Sequence, residues 1–89
     1  MSGAASVRGL ADLAAIRDIL AKYGRIAVDA HSLKDDGDLY NAGLTSLATV
    51  NVMLALESHF DIEFPDSMLS RKTFSSIEAI GEAVAELVK

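Results

Sequence analysis

The 89-residue chain reads as all-α, three main helices and one short extra one, on three observations. Apolar residues recur at helical spacing from Leu10 and again behind Ser75, and a mostly apolar run fills residues 46 to 60 before Pro65. No stretch alternates apolar and polar residues as a half-buried strand would, and no internal repeat is present.

In the first segment Leu10, Leu13, Ile16, Leu20 and Tyr23 form the stripe, while Asp12, Arg17, Asp18, Lys22 and Arg25 take most of the other positions. The pattern predicts a first helix ending near Gly24 to Ala27, with residues 1–8 flexible ahead of it. Residues 28 to 45 are rich in Asp, Gly and Asn and predict a long loop, pinned to the core by Leu33, Leu39, Tyr40 and Leu44. Ordered loops of that length inside small domains often carry function. The second helix is expected from Ser46 to Phe60, because Pro65 bars any continuation past Phe64. One short helical turn is expected over Asp66 to Ser70. Ser75 with Glu78 three residues later reads as a capping box, and Ile77, Ile80, Val84 and Leu87 form the stripe of the last helix, slightly weakened by Gly81.

Composition narrows the function. With 51% hydrophobic residues and a single proline, the chain fits one domain, whose small core leaves little room for an enclosed active site. It has no cysteine, which removes disulfides, thiolate metal sites and cysteine nucleophiles, so any thiol chemistry must come from an attached group. No apolar run approaches the ~18 residues of a membrane span, and the first residues lack a signal-peptide pattern, so the expectation is a cytoplasmic protein with no membrane partner. The net charge of −5 is uneven: residues 1–28 hold four bases and two acids, residues 29–66 hold eight acids and only Lys34, and the remainder balances. An acidic middle repels nucleic acid and attracts basic protein surfaces.

Ser46 stands where loop becomes helix. A hydroxyl there is open to a modifying enzyme and lies in the positive field of a helix N-terminus, which suits an attached phosphate. The plain alternative is an N-cap, and since Thr45 and Ser46 are adjacent, either can cap while the other is spare. At about 100° per residue from Ser46, Val52, Met53, Leu56 and Phe60 form one apolar stripe, and Leu47, Val50 and Leu54, with Glu57 beside them, form a second. The second stripe is either buried or offered to a partner. Truncating Leu54 separates the two: about 2 to 5 kcal/mol of stability if packed inside, mainly lost binding if at an interface.

Other chemistry finds no support. His59 lies 13 residues from Ser46 along the same helix, about 20 Å away, too far to act as its base. His31, in the loop, reads as a surface or cap residue. The cluster Asp35, Asp36 and Asp38 lacks the glutamate twelve positions on that a calcium loop requires and reads as a solvated turn. Met53 and Met68 read as core or flexible contact residues, with no metal role. Arg71 and Lys72, just after the short helical turn, read as a surface pair, with contact to a partner or to a phosphate on Ser46 as the alternative.

The string Gly43-Leu44-Thr45-Ser46-Leu47, followed by Val50, Leu56, Glu57, Phe60-Asp61-Ile62 and Pro65-Asp66, resembles the acyl carrier proteins, which hold acyl, aminoacyl or peptidyl groups as thioesters on 4'-phosphopantetheine. The resemblance spans about residues 10 to 88 and implies an antiparallel helical bundle with a long first loop, a non-catalytic role, and Ser46 as the attachment residue. It also implies a docking surface of Leu44, Thr45, Leu47, Val50, Leu54 and Glu57 beside the arm. The implied partners are a phosphopantetheinyl transferase, an acyl or amino acid ligase, and downstream acyl-using enzymes. Fatty-acid-type carriers usually place aspartate before the serine; here Thr45 stands there, and Ala48, Asn51, Ser58 and His59 occupy positions often acidic. A less charged face selects different partners. The combination looks like small stand-alone aminoacyl carrier proteins, served by ligases resembling truncated seryl-tRNA synthetases. A fatty-acid or polyketide carrier, and a helical adaptor without the prosthetic group, are the alternatives.

Overall fold

The computed structural model describes residues 13–26 and 28–88 and contains three main helices. We number them α1 (Leu13–Ile19), α2 (Ser46–Phe60) and α3 (Ile77–Leu87). The last turn of α1 widens into a π-helical turn, Leu20–Gly24, and short 3-10 turns lie at Ala30–Ser32 and Asp66–Met68. No strand is present among the described residues, so the all-α expectation holds, while the expectation for residues 1–8 and the Leu10 end of the first stripe lie outside them.

Helix α1 with its π turn lies against both α2 and α3. Its buried residues Ile16, Ile19 and Leu20 meet Ala48, Val52 and Leu56 of α2 and Ile77, Ile80 and Val84 of α3 in one apolar cluster. Burial of this kind is the main favourable term, about 1.5 to 3 kcal/mol for each fully buried aliphatic side chain. Gly24 does not end α1 through its own freedom. A Cβ there would meet the Leu20 and Leu44 side chains at 3.4 and 3.7 Å, ordinary contact distances, and it is Arg25 that takes the left-handed conformation (φ 52°).

The long loop is tied down as its apolar residues predict. Leu39 and Leu44 are buried, and Leu33 and Tyr40 pack against the same cluster. Two backbone bonds lace the loop to the start of α3, from Leu39 N–H to the Ser75 carbonyl and from Glu78 N–H to the Asp35 carbonyl, both 2.8 Å. The Arg17 guanidinium adds bonds to the Leu33 carbonyl and the Asp35 carboxylate.

The end caps correct one expectation. Ser76, not Ser75, caps α3: its Oγ accepts from Ala79 N–H at 3.0 Å, while the Ser75 hydroxyl donates to the Lys72 carbonyl. The capping-box spacing favours Ser75, but the loop takes the Ser75 carbonyl through Leu39 N–H, and the Ser76 carbonyl accepts from Ile80 N–H as that of a helix cap does. At the end of α2, Asp61 is left-handed (φ 55°) and the N–H of Ile62 bonds the Glu57 carbonyl at 3.1 Å. Among the described residues no helix is long and apolar enough to cross a membrane.

Candidate functional site

Each residue from Gly43 to Leu47 has a separate physical duty. Gly43 has φ 115°, open at little cost only to glycine, and closes a turn in which its N–H bonds the Tyr40 carbonyl and Leu44 N–H bonds the Leu39 carbonyl. Leu44 then drops into the core at 4% exposure and anchors the approach to α2. Thr45 is extended (φ −92°, ψ 167°), and its hydroxyl oxygen accepts from Ala48 N–H at 3.1 Å. Its carbonyl accepts both the N–H and the hydroxyl of Thr49. Thr45 is therefore the N-cap.

That assignment frees Ser46. The residue is exposed at the first position of α2, and its hydroxyl has no hydrogen-bond partner among the described residues. The oxygen faces solvent in the field of the first turn, where a negative group is stabilised.

Beside Ser46 an open groove of about 360 Å³ runs between α2 and the segment leading to α3, lined among others by Tyr40, Val50, Met53, Leu69 and Arg71. The Arg71 guanidinium lies over the Tyr40 ring, 4.0 Å from its centroid, and the Tyr40 hydroxyl donates to the Arg71 carbonyl at 2.9 Å. Burial pushes the Tyr40 phenol above its ordinary pKa, opposed by the nearby guanidinium. An exposed serine oxygen, a free path to it and an apolar groove with one cation on its rim fit a flexible arm joined through a phosphate.

The second apolar stripe of α2 is on the surface: Leu47 is 76% exposed, Val50 47% and Leu54 53%, whereas Val52 and Leu56 are fully buried and Met53 and Phe60 are half-buried. Two residues of the expected docking surface belong elsewhere. Leu44 is in the core. Glu57 is half-buried, and its Oε2 accepts from Phe64 N–H at 2.8 Å, holding the segment after α2 against the helix. Helical angle places Glu57 beside Ser46 but says nothing of a loop folding back to claim its carboxylate.

Groove residues drawn from the loop and from the segment before α3 carried little local signal, Leu69 least of all, since only the fold brings them to Ser46. His31 is far from this chemistry in role. Its ring joins Asp18 of α1 at 2.7 Å and Asp29 at 3.2 Å, and Asp29 also accepts from His31 N–H as the cap of the Ala30–Ser32 turn. Asp38 turns its carboxylate onto the N–H groups of Tyr40 and Asn41, as a solvated turn does. Among the described residues no three His, Asp or Glu side chains are grouped to hold a metal ion.

The chain is similar to known proteins in sequence and in fold. The chain is 52% identical over 71 residues to the aminoacyl carrier protein of Agrobacterium fabrum, covering 80% of this chain and 86% of that one. It superimposes with a TM-score of 0.80 and 51% identity on a chain in the crystal structure of an engineered Bradyrhizobium japonicum glycine:[carrier protein] ligase complexed with a carrier protein from Agrobacterium tumefaciens and AMP, covering 82% of this chain and 97% of that one. A second crystal structure, of the Bradyrhizobium japonicum ligase with glycylated carrier protein, contains a chain matched at 30% identity and TM-score 0.66, covering 83% of this chain and 93% of that one. The family model described as the phosphopantetheine attachment site matches residues 14–84, a span that holds all three helices but the first and last few residues, and with it Ser46 and its groove. The chain belongs to the phosphopantetheine-attachment-site family of carrier proteins.

Proposed function

We propose that this protein is an aminoacyl carrier, with Ser46 Oγ as the point where 4'-phosphopantetheine is joined through a phosphodiester. The observation that carries the reading is the division of labour at the start of α2: Thr45 caps the helix, so the Ser46 hydroxyl is exposed and uncommitted, within a chain of the attachment family. When bound, the arm supplies the terminal thiol that a chain without cysteine lacks and holds the cargo on it as a thioester. The aminoacyl assignment is supported by the 52% identical aminoacyl carrier protein and by the likeness to carriers seen with a glycine:[carrier protein] ligase.

The protein's own residues position and present. Leu44 buried beneath the turn and Thr45 at the cap fix the start of α2, so Ser46 is held at one place on the surface. Leu47, Val50 and Leu54 form an apolar face next to it, the docking surface for a transferase, an amino acid ligase and the downstream acceptor enzymes. Thr45 lies at the edge of that surface. Catalytic groups come from those partners, and the cytoplasm, which supplies coenzyme A and amino acid ligases, is the compartment. The adaptor alternative drew its motive from Thr45 in place of aspartate. Threonine serves as the cap here, the structural task that aspartate also performs.

The test is mass. Incubation with a phosphopantetheinyl transferase and coenzyme A adds about 340 Da to the wild type and nothing to Ser46→Ala, and a seryl-tRNA-synthetase-like ligase with ATP and an amino acid then adds one aminoacyl group. A wild-type chain left unmodified by several transferases overturns the proposal.

A further inference from the structure

Resting on that reading, we infer that Arg71 is a positioning residue for the phosphodiester on Ser46, holding the arm's base against the groove. Arg71 and Ser46 line the same groove, one from the segment before α3 and the other from α2. Arg71 is exposed, yet it is not a freely swinging side chain. Its guanidinium is stacked on Tyr40, and Tyr40 is itself held by packing against the core and by the bond from its hydroxyl to the Arg71 carbonyl. A stacked guanidinium keeps its N–H donors in the plane of the stack, free to be used at the edge.

The charge is also unspent. Among the described residues no carboxylate lies within ion-pair distance of Arg71, although Asp36 and Asp38 share a neighbouring depression with it; the ion pairs present join Arg17 to Asp35 and His31 to Asp18 and Asp29. A planar cation fixed by an aromatic ring at the edge of the modified serine's groove matches a phosphodiester, which carries one negative charge and two free oxygens set for paired N–H donors. Lys72, the next residue, borders the neighbouring depression and not the groove of Ser46. The sequence alone places the two bases on equal terms; the fold selects Arg71.

Nuclear magnetic resonance of ¹⁵N-labelled apo and holo protein, with the state of each sample read by intact mass, tests the inference. In the wild type the Arg71 Nε–H signal moves by more than its linewidth between apo and holo forms, and the shift shrinks as salt is raised from about 0.05 to about 0.5 M through screening. The ³¹P signal of the diester differs between wild type and both Arg71→Ala and Arg71→Glu, Arg71→Lys falls between, and Tyr40→Phe, which keeps the ring, stays near wild type. Fully modified samples in which the Nε–H signal is unmoved and the ³¹P signals of all variants superimpose overturn the role of Arg71 and leave the attachment reading standing. A wild type that never gains the arm's mass overturns both.

Discussion

Thr45 and Ser46 are neighbours of similar chemistry with separate fates, and the difference is measurable. Thr45→Ala removes the acceptor for Ala48 N–H and is expected to cost about 0.5 to 2 kcal/mol in thermal or urea denaturation. Thr45→Asp keeps the cap and puts a negative charge in the first turn of α2, so its melting temperature is expected to match or exceed the wild type's. Ser46→Ala deletes an unbonded exposed hydroxyl and should change stability by less than about 0.5 kcal/mol while abolishing loading. Equal destabilisation by Thr45→Ala and Ser46→Ala would contradict the assignment of the cap. That Ser46 is special was legible from its place between loop and apolar helix. Which of the two residues caps was not, because both side chains offer one oxygen and the choice rests on the backbone at Thr45.

At the scale of elements, α2 is a core helix with a second apolar face left outside. Leu54→Ala is expected to lower stability by less than about 1 kcal/mol, since the side chain is half in water already, whereas Leu56→Ala, two residues on and fully buried, is expected to cost about 2 to 5 kcal/mol. In a loading assay the order reverses: Leu54→Ala or Leu54→Asp weakens recognition by the ligase or transferase, read as a raised KM with the fold intact by circular dichroism. Helical angle separated the two faces correctly because period alone decides which residues share a side. It says nothing of the Glu57 carboxylate accepting from Phe64 N–H, since a returning segment is an event outside the helix. The first helix likewise reads as a plain helix, whereas its last turn is π-helical and Arg25 after it is left-handed.

For the molecule as a whole, the loop between α1 and α2 is held by the Arg17–Asp35 pair, by the two bonds to the start of α3 and by His31 set between Asp18 and Asp29. Hydrogen bonds to Asp18 and then Asp29 raise the His31 pKa above its ordinary 6.5. A raised folded-state value means the stabilising contribution is fully present below about pH 6.5 and is lost as pH rises through the folded pKa. The melting-temperature gap between wild type and His31→Ala is therefore expected to shrink between about pH 6 and about pH 9. Asp29, lowered first by the backbone bond from His31, works in the opposite sense: its contribution is present above pH 3.8 and fades as pH falls through its lower folded value. A gap constant across the neutral range would show that the loop does not use the charged imidazole.

Sequence by itself determined the helical class, the extent of α2, the place of Ser46 where loop becomes helix and the absence of any thiol of the chain's own. These depend on local period, on the break at Pro65 and on which residues are present, and such signals survive without knowing what lies across the core. Only the tertiary structure decided which hydroxyl caps, that the Glu57 carboxylate holds the segment after α2, and that Tyr40, Leu69 and Arg71 line the groove beside Ser46. Those facts depend on segments distant in the chain being pressed together by burial of a shared apolar cluster, and burial acts on area with no memory of sequence order.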